Sequence, residues 1–269
     1  MVAGSKIRGS GRVVGNPYLI ALRQSCPSFG HQRFLWRPIR ADRLYEYPPV
    51  CILFHCRGLR QTLGSREQIV EEFLKATEII DWTQPLVSSK ARELSTGLTR
   101  AEDIARNCFE WVRDEIQHSS DFKRNPVTCR ASDVLAAGTG YCYAKSHLLA
   151  ALLRANGIPT GFCYQRLSID DRGAPFSLHG LNAVHLPEIG WYRVDCRGNK
   201  MGVDAQFTPP LERLAFRLVF PEERSFSEIL PDPLRVVIVA LRRFRTWDEL
   251  YKNLPDWAES SLSDSDVRI

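Results

Sequence analysis

Residues 138–164, GTGYCYAKSHLLAALLRANGIPTGFCY, pass from a glycine-containing turn into a long helical pattern and then into a strand pattern. The helix is expected to run from Cys142 to Ala155, because Gly157 and Pro159 then supply the usual stop signals. The stretch therefore predicts that a cysteine opens a helix directly after a flexible turn, and the rest of the fold is built around that helix.

Upstream of this stretch, apolar residues recur at helical spacing. Pro85 suits the first turn of a helix, and Thr99 and Glu102 have the spacing of a capping box. The expected helices are residues 66–80, a segment after Pro85, a segment from the capping box to about Gln117, and residues 133–137 behind a Ser132 cap.

Downstream, the period of the apolar residues changes to that of strands. The expected strands are residues 160–169, 180–187, 190–195 and Leu234–Leu241, followed by a last helix that opens at a Thr246–Glu249 capping box and ends near Pro255. Helices therefore precede strands. This order predicts an α+β fold in which N-terminal helices pack on an antiparallel β-sheet.

The basic charge of the chain is concentrated at its N-terminal end. Residues 1–64 contain ten Lys and Arg against two Asp and Glu, whereas all 269 residues together carry a net charge of +5. We interpret residues 1–64 as a poorly ordered basic extension, with an organelle transit peptide, a nucleic-acid tether or an upstream extension outside the natural product as alternatives. Residues 65–257 are expected to form one domain and residues 258–269 a disordered tail. The charge distribution argues against nucleic acid as a partner of that domain.

Composition also bears on compartment and cofactors. No apolar run approaches the roughly 18 residues of a membrane helix, so no membrane association is expected. The eight cysteines, without a visible secretory signal, indicate free thiols in a cytoplasmic protein. Cys51, His55 and Cys56 could bind zinc, but they lack a second ligand pair at the usual spacing. We therefore expect no metal and no organic cofactor, and the sequence leaves the oligomeric state open.

Cys142 is the candidate nucleophile. A helix N-terminus carries partial positive charge and unpaired N–H groups, which stabilise a thiolate and could hold an oxyanion. The neighbouring glycines would let a substrate backbone approach closely. The alternative is a buried structural cysteine, and the turn before the helix favours the nucleophile.

A nucleophilic cysteine needs a base and a group that orients the base. His179 and Asp195 lie on the two arms of a predicted hairpin with its midpoint at residue 187, so they can face one another. His185 lies too near the turn for that pairing. His147 follows Cys142 by five residues, about 140° round the helix, and so faces away from the thiol.

An oxyanion formed at this site would also need a second donor beside the Cys142 N–H. Tyr141 and Gln165 are candidates, with roles in packing and in the strand as their alternatives. His118 precedes a loop and could line the substrate entrance, with a solvated loop histidine as the alternative.

Taken together, these elements resemble the transglutaminase-like superfamily, and more narrowly its bacterial members regarded as cysteine proteases. The resemblance rests on the cysteine after a glycine turn, the close of the helix in Arg154-Ala-Asn-Gly-Ile-Pro159, and the sixteen-residue step from His179 to Asp195. It covers about residues 98–200. One departure from many relatives is Gly180-Leu-Asn182 after the histidine, where Ala-Trp and an acidic residue are usual.

The resemblance implies a papain-like core with Cys142 as nucleophile, His179 as base and Asp195 as the orienting carboxylate. It implies acyl transfer on amide bonds of a protein or peptide substrate. We expect hydrolysis rather than protein crosslinking, because the chain has no room for the β-sandwich domains of animal transglutaminases and no evident calcium loop. A transglutaminase with an amine acceptor and a non-catalytic binding module on the same fold are the alternatives.

Overall fold

A computed structural model describes residues 70–256 of the chain. The predictions made for residues 1–64, for the zinc ligands Cys51, His55 and Cys56, and for the tail at 258–269 lie outside the described residues.

The helices and strands follow one another in two blocks. The helices of the first block are α1 (Pro85–Ser95), α2 (Ala101–Glu115), α3 (Ala131–Ala137) and α4 (Cys142–Ala155), with the short strands β1 (Gln117–His118) and β2 (Thr139–Gly140) between them. The second block contains β3 (Thr160–Ser168), β4 (Phe176–Leu186), β5 (Gly190–Val194), β6 (Arg224–Ser225), α5 (Arg235–Arg243) and α6 (Trp247–Tyr251).

The main sheet has the strand order β5-β4-β3-β6, and every neighbouring pair is antiparallel. Strands β1 and β2 pair in parallel as a separate two-stranded sheet, with His118 opposite Gly140. Helix α4 packs against β3 and β4 on one side and against α1, α2 and α3 on the other. The predicted α+β class, with N-terminal helices on an antiparallel sheet, is confirmed.

Helix α4 is the centre of the core, and its predicted bounds are confirmed. Every side chain from Cys142 to Arg154 is buried, including the polar ones. A helix that is enclosed on all sides lies in the interior rather than on the surface. The first residue of such a helix is therefore held in place by the whole core.

The two cations of α4 are buried against backbone carbonyl groups. The Lys145 ammonium donates to the carbonyl oxygens of Arg113 and Ile116 at the C-terminal end of α2. Burial lowers the pKa of Lys145 to about 8. The Arg154 guanidinium donates to the carbonyls of Lys75, Thr160 and Pro231. These contacts satisfy carbonyl groups that would otherwise be buried without donors.

Two predicted elements are wrong. The strand expected at Leu234–Leu241 is helix α5, because Val237, Ala240 and Leu241 enter the core at helical spacing despite their β-branched neighbours. The helix expected over 66–80 reaches only Glu72 in the described part of the chain, and turns and bends follow up to residue 84.

The predicted caps have mixed outcomes. Helix α2 begins after Arg100 without a side-chain cap, so the capping box expected from Thr99 is wrong. Ser132 lies inside α3, where its N–H and hydroxyl donate to the Asp81 carboxylate instead of capping the helix. At α6 the capping box is confirmed, because the Glu249 carboxylate accepts the Thr246 N–H.

Two further observations bear on the expected compartment. Within residues 70–256, none of the helices has the length and hydropathy of a membrane span. The cysteines of the described segment are all free thiols: Cys108, Cys129, Cys142, Cys163 and Cys196. The cytoplasmic localisation stays a prediction.

Candidate active site

The turn and helix predicted around Cys142 present its thiol to a cavity. Helix α3 ends at Gly138, whose φ of +64° is readily adopted only by glycine. Tyr141 has extended backbone before α4, and Cys142 is the first helical residue. Its side chain is buried to 7% exposure yet lines the cavity. The first N–H groups of α4 have no carbonyl partner within the helix, and Cys142 and Tyr143, which carry two of them, line the same cavity.

Strand β4 brings His179 to this thiol. The Cys142 side chain and the His179 imidazole hydrogen-bond each other, and His179 Nε2 lies 2.7 Å from Asp195 Oδ2. Since Nε2 is used by the carboxylate, the thiol faces Nδ1. Asp195 follows strand β5 directly, so adjacent antiparallel strands carry the histidine and the carboxylate.

The Asp195 carboxylate is fully buried and accepts two backbone donors besides the histidine. The Arg197 N–H donates to Oδ1 and the Ala215 N–H to Oδ2, each at 3.1 Å. Burial alone would raise the pKa of Asp195, but His179 and these two donors outweigh it and lower the pKa. The carboxylate is thus ionised and fixed in orientation.

His179 is buried between the Asp195 carboxylate and the Cys142 sulfur. Burial lowers its pKa, but the charges of Asp195 and the Cys142 sulfur outweigh burial and raise the pKa above the usual 6.5, to about 10. Phe216 contacts the imidazole edge to face, with ring centroids 5.0 Å apart. The raised pKa places a positively charged imidazole next to the Cys142 sulfur at physiological pH.

The cavity above these groups has a volume of about 920 Å³. Four acidic and four basic side chains line it, together with His118, Tyr141 and the Cys142–His179 pair. Its rim includes the fully exposed Met201 and the half-exposed Tyr251. Such a cavity holds water and can accept a chain that carries both polar and apolar groups.

The three predicted donor candidates occupy different positions. The Tyr141 hydroxyl is bound to the backbone carbonyl of Trp247, so it is committed to the packing of α6. Gln165 lies opposite His179 on β3 but is buried outside the cavity lining. His118 is buried to 6% exposure and lines the cavity beside Tyr141, with ring centroids 5.5 Å apart. His118, and not Gln165, therefore lines the cavity that the Cys142 thiol also lines.

The two other histidines considered in the sequence lie away from the thiol. His185 contacts the Trp191 ring on the outer strands. The His147 Nδ1 hydrogen-bonds the Cys129 carbonyl, and burial lowers its pKa to about 4. Neither residue lines the cavity.

A charged network that no sequence motif indicates lies next to His118. The Arg197 guanidinium forms a bidentate ion pair with Asp121, and Lys200 lies 2.9 Å from the same carboxylate. Burial would raise the pKa of Asp121, yet hydrogen bonds to these two cations lower it to about 2. Ala215 and Phe216 also belong to the site without a sequence signal, because no motif links an irregular segment twenty residues downstream to the Asp195–His179 pair.

Gly180 lets α4 approach the strand that carries His179. A Cβ at this position would lie 2.9 Å from Tyr143 Cδ1 and 3.3 Å from Tyr143 Cα. We expect Gly180→Ala to lower the free energy of unfolding by about 1–3 kcal/mol, because α4 must move away from β4. Urea denaturation checks this, with Glu188→Ala in the exposed turn after the same strand as a control that stays within about 0.5 kcal/mol of the unmodified chain. Equal stability of both variants would contradict the close packing.

Comparisons with known proteins agree with the resemblance noted in the sequence. Residues 88–196 match the family model of the transglutaminase-like superfamily. The matched segment contains Cys142, His179 and Asp195 and ends one residue after the carboxylate. No curated protein gives a significant match.

Solved structures of low similarity include two bacterial proteins. One is named as a putative cysteine protease from Cytophaga hutchinsonii, with 16% identity and a TM-score of 0.40 over 48% of this chain and 42% of that one. The other is the periplasmic domain of TgpA from Pseudomonas aeruginosa, with 19% identity and a TM-score of 0.37 over 48% of this chain and 47% of that domain. The chain spans less than half the length of either relative.

Proposed function

We propose that this protein is a cysteine-dependent enzyme that cleaves amide bonds of peptide or protein substrates by acyl transfer. One observation carries the proposal: a thiol, an imidazole and a buried carboxylate form a continuous hydrogen-bonded series on the wall of a large cavity. The match of residues 88–196 to the transglutaminase-like superfamily supports the same class of chemistry.

In the acylation step, the Cys142 thiolate attacks the amide carbonyl carbon and forms an S–C bond. The electron pair of the C=O bond moves to oxygen, and the Cys142 N–H at the start of α4 donates to that oxyanion. When the tetrahedral intermediate collapses, the C–N bond breaks and the His179 imidazolium gives its proton to the leaving amine. Asp195 holds the imidazole in the required orientation throughout.

In the deacylation step, neutral His179 removes a proton from water, whose oxygen attacks the thioester. The C–S bond then breaks, and the acid product leaves with the thiolate restored. We infer water rather than an amine as the acceptor, because eight charged side chains line the cavity and keep it hydrated. An enzyme that transfers acyl groups to amines must instead limit access of water to the thioester.

Digestion of unfolded casein in water enriched in ¹⁸O tests both parts of the proposal. We expect new peptide C-termini that carry ¹⁸O, detected by mass spectrometry, and no such peptides with Cys142→Ala. Addition of dansylcadaverine to a parallel sample offers a primary amine. Incorporation of the amine in excess of ¹⁸O would replace the hydrolytic assignment with amine transfer, and the absence of both products would contradict amide chemistry.

A further inference from the structure

We propose that His118 is a catalytic residue whose Nε2–H completes the oxyanion hole opposite the Cys142 N–H. This inference rests on the proposed function and names the second donor that the acylation step requires. Four features of the described residues support it: the position of the ring, its hydrogen-bonded nitrogen, its free nitrogen and the charges around it.

The position of His118 is fixed by β-pairing. Strand β1 pairs with β2 so that His118 lies opposite Gly140, and the Ser119 N–H donates to the Gly140 carbonyl at 3.0 Å. Gly140 is two residues before Cys142 in the turn that leads into α4. Backbone hydrogen bonds therefore hold the His118 ring beside the start of the nucleophile helix.

One nitrogen of the ring is already occupied. His118 Nδ1 lies 3.1 Å from the Ser120 hydroxyl, and the Asp121 carboxylate is farther away at 3.7 Å. Both oxygens of that carboxylate are engaged by Arg197 and Lys200. With the Ser120 hydroxyl as donor to Nδ1, the ring proton of a neutral imidazole lies on Nε2.

The other nitrogen is free and accessible. Within residues 70–256, Nε2 of His118 has no hydrogen-bond partner. The fully buried side-chain nitrogen and oxygen atoms that lack a partner do not include it, so this nitrogen is accessible. The residue itself is buried and lines the cavity. Its Nε2 therefore faces the cavity, whereas the Tyr141 hydroxyl is used by Trp247 and Gln165 does not reach the cavity.

The charges around the ring suit an oxyanion. Burial, together with the charges of Arg197, Lys145 and His179, outweighs Asp121 and lowers the pKa of His118 well below 6.5. The ring is therefore a neutral donor at physiological pH. The same surrounding cations that oppose a proton on His118 would stabilise a negative oxygen placed next to it.

Two reactions of Cys142 separate this role from that of the nucleophile. Acylation by p-nitrophenyl acetate passes through an oxyanion: the sulfur bonds to the carbonyl carbon, the carbonyl electron pair moves to oxygen and returns, and p-nitrophenolate leaves with the C–O pair. Alkylation by iodoacetamide displaces iodide from a saturated carbon and forms no oxyanion. Both rates can be followed at Cys142 by mass spectrometry.

For His118→Leu, we expect acylation of Cys142 to slow by about 100-fold, the usual effect of removing one oxyanion donor. Alkylation at the same pH should change less than twofold, which also reports an intact fold. His118→Gln keeps an N–H donor and should recover most of the acylation rate. His185→Leu, at a histidine outside the cavity, is the matched control and should leave both rates unchanged.

Each alternative outcome has a distinct meaning. If His118→Leu slows acylation and alkylation equally, His118 acts on the reactivity of the Cys142 sulfur and not on the oxyanion. This result would overturn the inference. Unchanged acylation, or a Gln variant as slow as the Leu variant, would overturn it as well. If Cys142 of the unmodified protein is alkylated no faster than the other thiols, the proposed function itself fails, and the inference fails with it.

Discussion

His179→Ala is expected to slow alkylation of Cys142 by iodoacetamide at pH 6 by about 100-fold. A cysteine with the ordinary pKa of about 8.5 is only about 0.3% thiolate at that pH. In the intact site, the His179 imidazolium lies against the sulfur and is itself kept charged by Asp195. Removal of the imidazolium removes the charge that favours the thiolate.

The pH profile gives the sharper form of this prediction. With His179 present, the alkylation rate should have a flatter profile from pH 5 to pH 8 than in His179→Ala, because the pKa of His179 is raised to about 10 and its positive charge beside the sulfur persists over this range. In His179→Ala, the rate should rise about tenfold for each pH unit, as it does for an unassisted thiol. His185→Ala serves as the control that keeps the flatter profile. Parallel profiles for all three proteins would remove the support for a nucleophilic Cys142.

Asp195→Asn is expected to reduce acylation of Cys142 by p-nitrophenyl acetate by about 10⁴-fold, the effect of the same substitution in a Ser-His-Asp triad. The amide cannot accept from the imidazole, the Arg197 N–H and the Ala215 N–H as the carboxylate does. It also leaves a buried imidazole without its counter-charge. Asp204→Asn, at an exposed acid on the cavity lining, is the matched control and should change the rate less than twofold.

The free energy of unfolding should depend on pH through the His179–Asp195 ion pair. Because folding raises the pKa of His179, its contribution is complete below pH 6.5 and is lost as the pH rises towards 10. Because folding lowers the pKa of Asp195, its contribution is present above about pH 3.8 and is lost as the pH falls.

Asp195→Asn should therefore destabilise the protein most near pH 5–6, by about 3–5 kcal/mol as expected for a broken buried ion pair, and less near pH 10. Urea denaturation across this range measures the difference. A loss of stability that does not depend on pH would indicate that the two residues are not an ion pair.

Local patterns predicted the helix that begins at Cys142 and its immediate surroundings. The bounds of α4 follow from a turn, an apolar run and two stop signals, all within the quoted stretch. The strands carrying His179 and Asp195 follow from the alternation of apolar residues about a turn. The predicted register is wrong by one position: Asn182 pairs with Val194, so the hairpin is centred on residue 188 rather than 187, and His179 lies diagonal to Asp195 instead of opposite it.

The remaining features depend on contacts that are distant in sequence. The apolar run at residues 235–243 has the β-branched composition of a strand, and only its packing against the core makes it a helix. The surroundings of His118 combine strand pairing at Gly140 with cations at residues 197 and 200. No local sequence pattern indicates such a combination. The sequence therefore indicated His118 as a candidate at the substrate entrance, but not the oxyanion-donor role that we propose from the structure.

The hydrogen bond from Ala215 to Asp195 has a consequence for the boundaries of the functional unit. The family match ends at residue 196, and a chain shortened to it would keep Cys142, His179 and Asp195. It would lack the Ala215 donor to Oδ2 and the Phe216 ring against the imidazole. A piece of this chain that keeps the surroundings of the His179–Asp195 pair must therefore extend well past the segment matched by the family model, to Phe216 at least.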